Sequence, residues 1–212
     1  MLRRVSKAYG YKKLSEHITA KADARKILIV GIDGLGGAGK STLSGELKTM
    51  LRKVGLQTIV LHIDDFIHPK IVRYRDDVPA WECYYNLQWR YDYFLHDILT
   101  PMRKNHAFHG IIEIYDKEQD SYTLQTLDAE PGTILLVEGI FLQRQELQGF
   151  FDTMIYLDVP EKIRLQRVLH RDYYIGDTSQ IAAKYETRYF PAERHYVKTC
   201  EPAKHADFIV TD

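Results

Sequence analysis

Short, wholly apolar runs alternate along this chain with longer segments in which apolar residues recur every three or four positions. That alternation predicts a mainly parallel β-sheet covered by helices on both faces. The apolar runs predict strands over Ile27–Ile32, Thr58–Ile63, Thr133–Val137, Met154–Leu157 and Phe208–Val210. Helical spacing is clearest in Ser41–Val54, where Leu43, Leu47, Met50, Leu51 and Val54 share a face and Gly55 supplies a stop. Further helices are predicted over Trp89–Met102, Glu161–Arg171 and Gln180–Cys200, and Gly110–Tyr115 with Ser121–Leu124 reads as a small antiparallel flap. Before Lys26, Leu2, Val5, Leu14 and Ile18 recur loosely among basic and polar residues, which reads as an N-terminal helical arm over 1–25 ahead of one compact unit over 26–212. No internal repeat or long linker interrupts that unit.

Bulk properties narrow the picture by exclusion. The 212 residues suffice for one continuous core. With 29 basic and 29 acidic residues the formal charge is zero, so the basic footprint of a nucleic-acid binder is missing. No apolar stretch is long enough to span a bilayer, and the first 24 residues lack the apolar centre of a signal peptide, so a cytoplasmic protein without membrane contact is expected. The two cysteines, Cys83 and Cys200, form no metal or disulfide pattern. His106 and His109 flank a polar turn and read as solvated side chains rather than metal ligands.

Chemistry enters with Gly34-Leu35-Gly36-Gly37-Ala38-Gly39-Lys40-Ser41, a complete GxxxxGK[ST] pattern between a predicted strand and a predicted helix. The glycines allow a nest of inward-pointing amides, and the helix start adds its positive dipole end, so Gly34, Gly36, Gly37, Ala38, Gly39, Lys40, Ser41 and Thr42 are the expected triphosphate cradle. Lys40 reaches the outer phosphates, Ser41 offers a hydroxyl to Mg2+, and Thr42 follows as a second hydroxyl. The architecture expected is therefore the three-layer α/β sandwich of P-loop NTPases with a small lid and flap. The same cradle serves GTPases, transport ATPases and small-molecule kinases, but no NKxD-type guanine motif is present.

Two carboxylates sit where strands end. Asp64-Asp65-Phe66 follows the Thr58–Ile63 strand, at the edge where open α/β sheets bind ligands, and Asp64 is the expected general base for an attacking hydroxyl. Asp65 is open between a similar role and a helix cap. Glu138 emerges from the buried run Ile134–Val137 as a Walker B carboxylate, expected to hold Mg2+ with Ser41. Arg164, Arg167 and Arg171 fall on one helical face and read as a lid that closes over the phosphates, with Arg167 and Arg171 meeting the transferring charge.

These residues together resemble the uridine/cytidine kinase family, within the phosphoribulokinase and uridine kinase group. The likeness runs from Lys26 to Val210 through the P-loop, Asp64-x-Phe66, Tyr91-Asp92, Tyr115-Asp116, Leu136-Val137-Glu138-Gly139, Arg164-Leu165-x-Arg167, Arg171-Asp172, Pro191-Ala192 and Pro202-x-Lys204. It implies ATP and Mg2+ as cofactors, Asp64 as base, Asp92 on ribose hydroxyls, Tyr115 on the acceptor, Arg164 on the lid side near substrate, and a nucleoside such as uridine or cytidine as acceptor. It also implies a homo-oligomer.

Departures leave the acceptor open. Where the family carries a base-recognising histidine after Tyr-Asp, this chain has Lys117-Glu118-Gln119-Asp120, and the lid sequence Tyr173–Asp177 is short and lacks arginine. Trp81–Asn86 is an aromatic-rich insert that suits either a pocket wall or a core. Pantothenate, a sugar phosphate or a nicotinamide nucleoside therefore stays open as acceptor, as does a non-catalytic nucleotide-binding module.

Overall fold

The computed structural model describes residues 3–212. Strands β1 (Arg3–Ser6), β2 (Leu28–Gly34), β3 (Thr58–His62), β6 (Ile134–Gly139), β7 (Thr153–Asp158) and β8 (Phe208–Thr211) form one sheet in the order β1-β8-β7-β2-β6-β3. Every pairing in it is parallel. The flap is a separate antiparallel pair, β4 (Phe108–Asp116) and β5 (Ser121–Ala129).

The central strands are apolar throughout because both faces are covered. On β2, Leu28, Val30 and Ile32 pack with Leu43, Leu47 and Leu51 of the helix Lys40–Lys53, while Ile29 points to the opposite layer with Phe66, Phe94 and Tyr196. On β6, Leu136 joins the first group, and Leu135 and Val137 join the second. Two cores thus sandwich the sheet, as period-2 alternation in a doubly covered strand requires.

The predicted strands all appear, those of the sheet shifted by a residue or two at their ends and the second flap strand running five residues further, to Ala129. The segment 1–25 holds a helix, Lys7–Lys21, whose Leu14 and Ile18 are fully buried in the first group with Leu43 and Leu47, preceded by the unexpected strand β1 that extends the sheet beyond β8. Leu2 lies outside the described residues. The aromatic insert is a helix, Ala80–Leu87, and serves both purposes considered for it: Cys83 and Tyr85 are buried, whereas Tyr84 borders the main cavity. No helix among the described residues is long and apolar enough to cross a membrane.

All six strands being parallel, their C-terminal ends share one edge. The glycine loop after β2, Asp64 after β3 and Glu138 near the end of β6 are delivered to that edge together.

Candidate active site

The loop leaves β2 at Gly34 and turns into the helix at Lys40, with Gly37 and Gly39 at φ 78° and 98°. A side chain at Gly37 would be strained and would also meet the Arg164 carbonyl oxygen at 2.8 Å, so glycine is required there twice over. The Lys40 ammonium folds back onto the Leu35 carbonyl at 3.3 Å, which holds it over the nest.

Three groups behind the loop fix its shape. Asp33, fully buried, accepts from the Gly34 amide (2.8 Å), the Gln143 side-chain amide (2.9 Å) and the Tyr196 hydroxyl (2.6 Å). Burial pushes its carboxyl above the ordinary range, against the pull of those donors and Lys40. Glu193, also buried, accepts from the Gly36 amide at 2.8 Å and from Arg164 at 2.7 Å. Arg164 completes the clamp by donating to the Gly36 carbonyl at 3.0 Å and the Val159 carbonyl at 3.0 Å.

That arrangement corrects the expected place of Arg164. It is 3% exposed, with its guanidinium committed beneath the loop, so it is a brace of the phosphate cradle rather than a substrate contact. Arg167 likewise turns to the Gly37 carbonyl (3.3 Å) and to Asp212 (2.7 and 2.8 Å). The helix Glu161–Arg171 presents its arginine face to the loop backbone because Arg164 and Val168 pack directly against Gly37. Arg171 alone of the three borders the cavity, paired with the buried Asp172 at 2.6 Å; Asp172 also accepts from Tyr185 at 2.7 Å.

In front of the loop lies a cavity of about 710 Å3 that brings Gly36, Lys40, Asp64, Tyr115 and Arg171 around one space. Asp64, in a single turn of 3-10 helix after β3, is accessible and receives the Trp89 indole N–H at 3.2 Å, which steadies the carboxylate without enclosing it. Asp65 is half-buried, burial raises its carboxyl, and the next helix, Lys70–Arg73, starts after Pro69 with no side-chain cap, so Asp65 does not cap it. Tyr115 is buried on β4; its hydroxyl donates to Asp120 and accepts from Arg73 at 2.7 Å. Asp92 is exposed and does not border the cavity, so the ribose contact expected of it is absent from this geometry. It lies within a short helical turn, Tyr91–Tyr93, whose buried face belongs to Tyr91.

Glu138 accepts from the Ser41 hydroxyl at 2.8 Å and meets His62 Nδ1 at 2.5 Å. Burial opposes its charge, but the His62 hydrogen bond, Lys40 and Ser41 outweigh that and hold the carboxyl below its ordinary value. The same hydrogen bond pushes His62 upward. His62 was not foreseen: it neighbours Glu138 only because β3 and β6 pair with those two residues in register.

A charged carboxylate beside a hydroxyl at the start of the phosphate loop is a hard-oxygen donor set, and it fits a divalent cation on a polyphosphate. The sequence profile described as AAA domain matches residues 30–186. A solved structure described as a possible uridine kinase, from Bacillus stearothermophilus, is 32% identical with a TM-score of 0.78, over 95% of this chain and 97% of that one. This chain belongs to the uridine kinase family of P-loop kinases. Curated uridine kinases show the same kinship at greater distance. That of Limosilactobacillus reuteri is 26% identical over 89% of this chain and 84% of its own length. One from Clostridium botulinum is 29% identical over 89% of each. As a uridine kinase family member the chain is a nucleotide-binding P-loop kinase acting on a small molecule.

Proposed function

We propose that this kinase transfers the terminal phosphoryl group of ATP to a hydroxyl of a small molecule, with Asp64 as general base. The observation that carries the reading is the shared cavity: the accessible Asp64 and the phosphate cradle's own lysine, Lys40, border the same space at one sheet edge. Asp64 accepts the proton that the alcohol loses on attack, and Trp89 orients the carboxylate for it. Lys40 and the loop amides grip the outer phosphates, and Arg171, braced by Asp172, offsets charge on the group in transit. Ser41 and Glu138 would hold Mg2+, which draws charge from the outer phosphate oxygens when bound. Tyr174, largely exposed at the cavity mouth, is the side chain best placed to exclude water once nucleotide is seated.

A nucleoside is the acceptor that relatives named uridine kinase suggest. The exposed position of Asp92, and the engagement of Asp120 with Tyr115 where a base contact would lie, favour a second reading, a hydroxylated metabolite other than a nucleoside. ADP release from magnesium-ATP across a panel of alcohols separates the two and tests the whole. Acceptor-dependent release supports phosphoryl transfer, and tight ATP binding with no acceptor effect reduces the chain to a nucleotide-binding module.

A further inference from the structure

The acceptor side of the cavity holds a concentration of buried positive charge that the phosphate machinery does not use. Arg73 and Arg188 are 7% and 4% exposed, and their guanidinium carbons lie 5.3 and 4.2 Å from the centre of the Tyr74 ring. Arg188 donates to the carbonyls of Ala80 (3.0 Å) and Arg73 (3.1 Å) and to the Gln88 side chain (3.2 Å). Its Nε is buried without an acceptor, and no carboxylate among the described residues pairs with it.

Arg73 borders the cavity. Its Nε donates to the His68 carbonyl at 2.5 Å and its Nη2 to the Tyr115 hydroxyl, leaving Nη1 with no acceptor among the described residues. The carboxylate that pairs with it, Asp120, stands off at 4.0 Å and is already engaged by the Tyr115 hydroxyl and the Lys70 amide. Gln88 also borders the cavity, and with its oxygen given to Arg188 its amide nitrogen is a second donor without an acceptor among the described residues. Lys70 and Lys117 add charge at the rim. Of the carboxylates lining the cavity, Asp172 and Glu193 are held by Arg171 and Arg164, and Asp64 is the proposed base.

A buried guanidinium with no carboxylate, Arg188, beside another whose carboxylate stands off at 4.0 Å, Arg73, costs free energy unless an anion completes the pair. With Nε and Nη2 taken, Arg73 still has its Nη1 to give as a charge-assisted donor to an oxyanion. We infer that the acceptor alcohol carries a phosphate or carboxylate group, held by Arg73 and Gln88 with Lys70 and Lys117 at the rim. This rests on the phosphoryl-transfer reading above and narrows its acceptor.

Matched pairs of alcohols test it: ribose with ribose 5-phosphate, and glycerol with glycerate and glycerol 3-phosphate, each assayed for ADP release from magnesium-ATP by the full chain. The anionic member of a pair is expected to show a kcat/KM about tenfold or more above its uncharged mate. Which of glycerate and glycerol 3-phosphate leads tells carboxylate from phosphate. Arg73→Gln closes the gap by raising KM for the anionic acceptor alone, Arg73→Lys retains part of it, and ATP affinity holds in both. Lys117→Glu, an exposed change, raises the same KM and serves if Arg73→Gln does not fold. Uncharged alcohols that match or beat their anionic mates, with ADP release still acceptor-dependent, overturn the anionic acceptor and spare the kinase. Bound ATP with no acceptor-dependent release from any alcohol overturns both.

Discussion

The Ser41 hydroxyl donates to the Glu138 carboxylate at 2.8 Å, across 97 residues of sequence. One group opens the helix after the glycine loop and the other ends a neighbouring parallel strand. Their contact exists because β2 and β6 are adjacent, with Asp33 opposite Gly139.

Replacing Glu138 with Gln keeps the shape and an acceptor for Ser41 but removes the charge. Turnover is expected to fall about a hundredfold, and the magnesium concentration for half-maximal turnover to rise. A titration of turnover against magnesium at saturating ATP checks this, and an unchanged midpoint would remove Glu138 from the cation site.

How far the sequence foretold this site depends on whether a residue's role was local or set by strand order. The P-loop was legible because its glycines, lysine and serine are contiguous and bracketed by a strand and a helix. Asp64 and Glu138 were legible as carboxylates at the ends of apolar runs. His62 and Asp33 were not: each acquires its partners from a neighbouring strand or from Gln143 and Tyr196, distant in sequence. Arg164 was misplaced because helical periodicity gives a shared face but not which way that face turns. Strand β1 escaped notice because Arg3–Ser6 has only one apolar residue, Val5, to pack inward.

The clamp under the loop predicts a stability signature. Arg164→Met leaves the buried Glu193 without its cation and is expected to cost about 3–5 kcal/mol in chemical denaturation. Replacing Glu193 with Leu in the same chain recovers part of that loss, since no buried charge is then left unpaired, whereas ATP affinity stays low because the Gly36 amide has lost its acceptor. A loss in the double variant equal to the sum of the two single losses would show that the pair does not act as a unit.

Asp92→Ala is expected to leave KM for the preferred acceptor, and turnover, within about twofold of the parent, as a solvated surface change does. A rise in KM of tenfold or more would return Asp92 to the acceptor site and imply a conformation in which it swings into the cavity.

The helix Thr178–Lys184 carries a pH-dependent cap. Asp177 accepts from the Gln180 amide at 2.9 Å and from the Ser179 hydroxyl at 2.7 Å, and these bonds, the backbone one foremost, hold its carboxyl below the ordinary range. A carboxyl depressed on folding adds stability above its unfolded pKa and loses it as pH falls through the folded value. Amide exchange in Thr178–Lys184 is therefore expected to be slower in the parent than in Asp177→Ala at neutral pH, with the gap closing in acid. A gap independent of pH would mean that the charged carboxylate is not the cap.

The central claim is that Asp64 takes the acceptor's proton beside a triphosphate held by the glycine loop. Asp64→Asn retains the size of the side chain and an acceptor for Trp89 but cannot take that proton. Single-turnover phosphoryl transfer by this variant, measured beside its ATP affinity, is expected to slow by about a hundredfold to ten-thousandfold with ATP binding unchanged. Transfer at the parent rate would contradict the account.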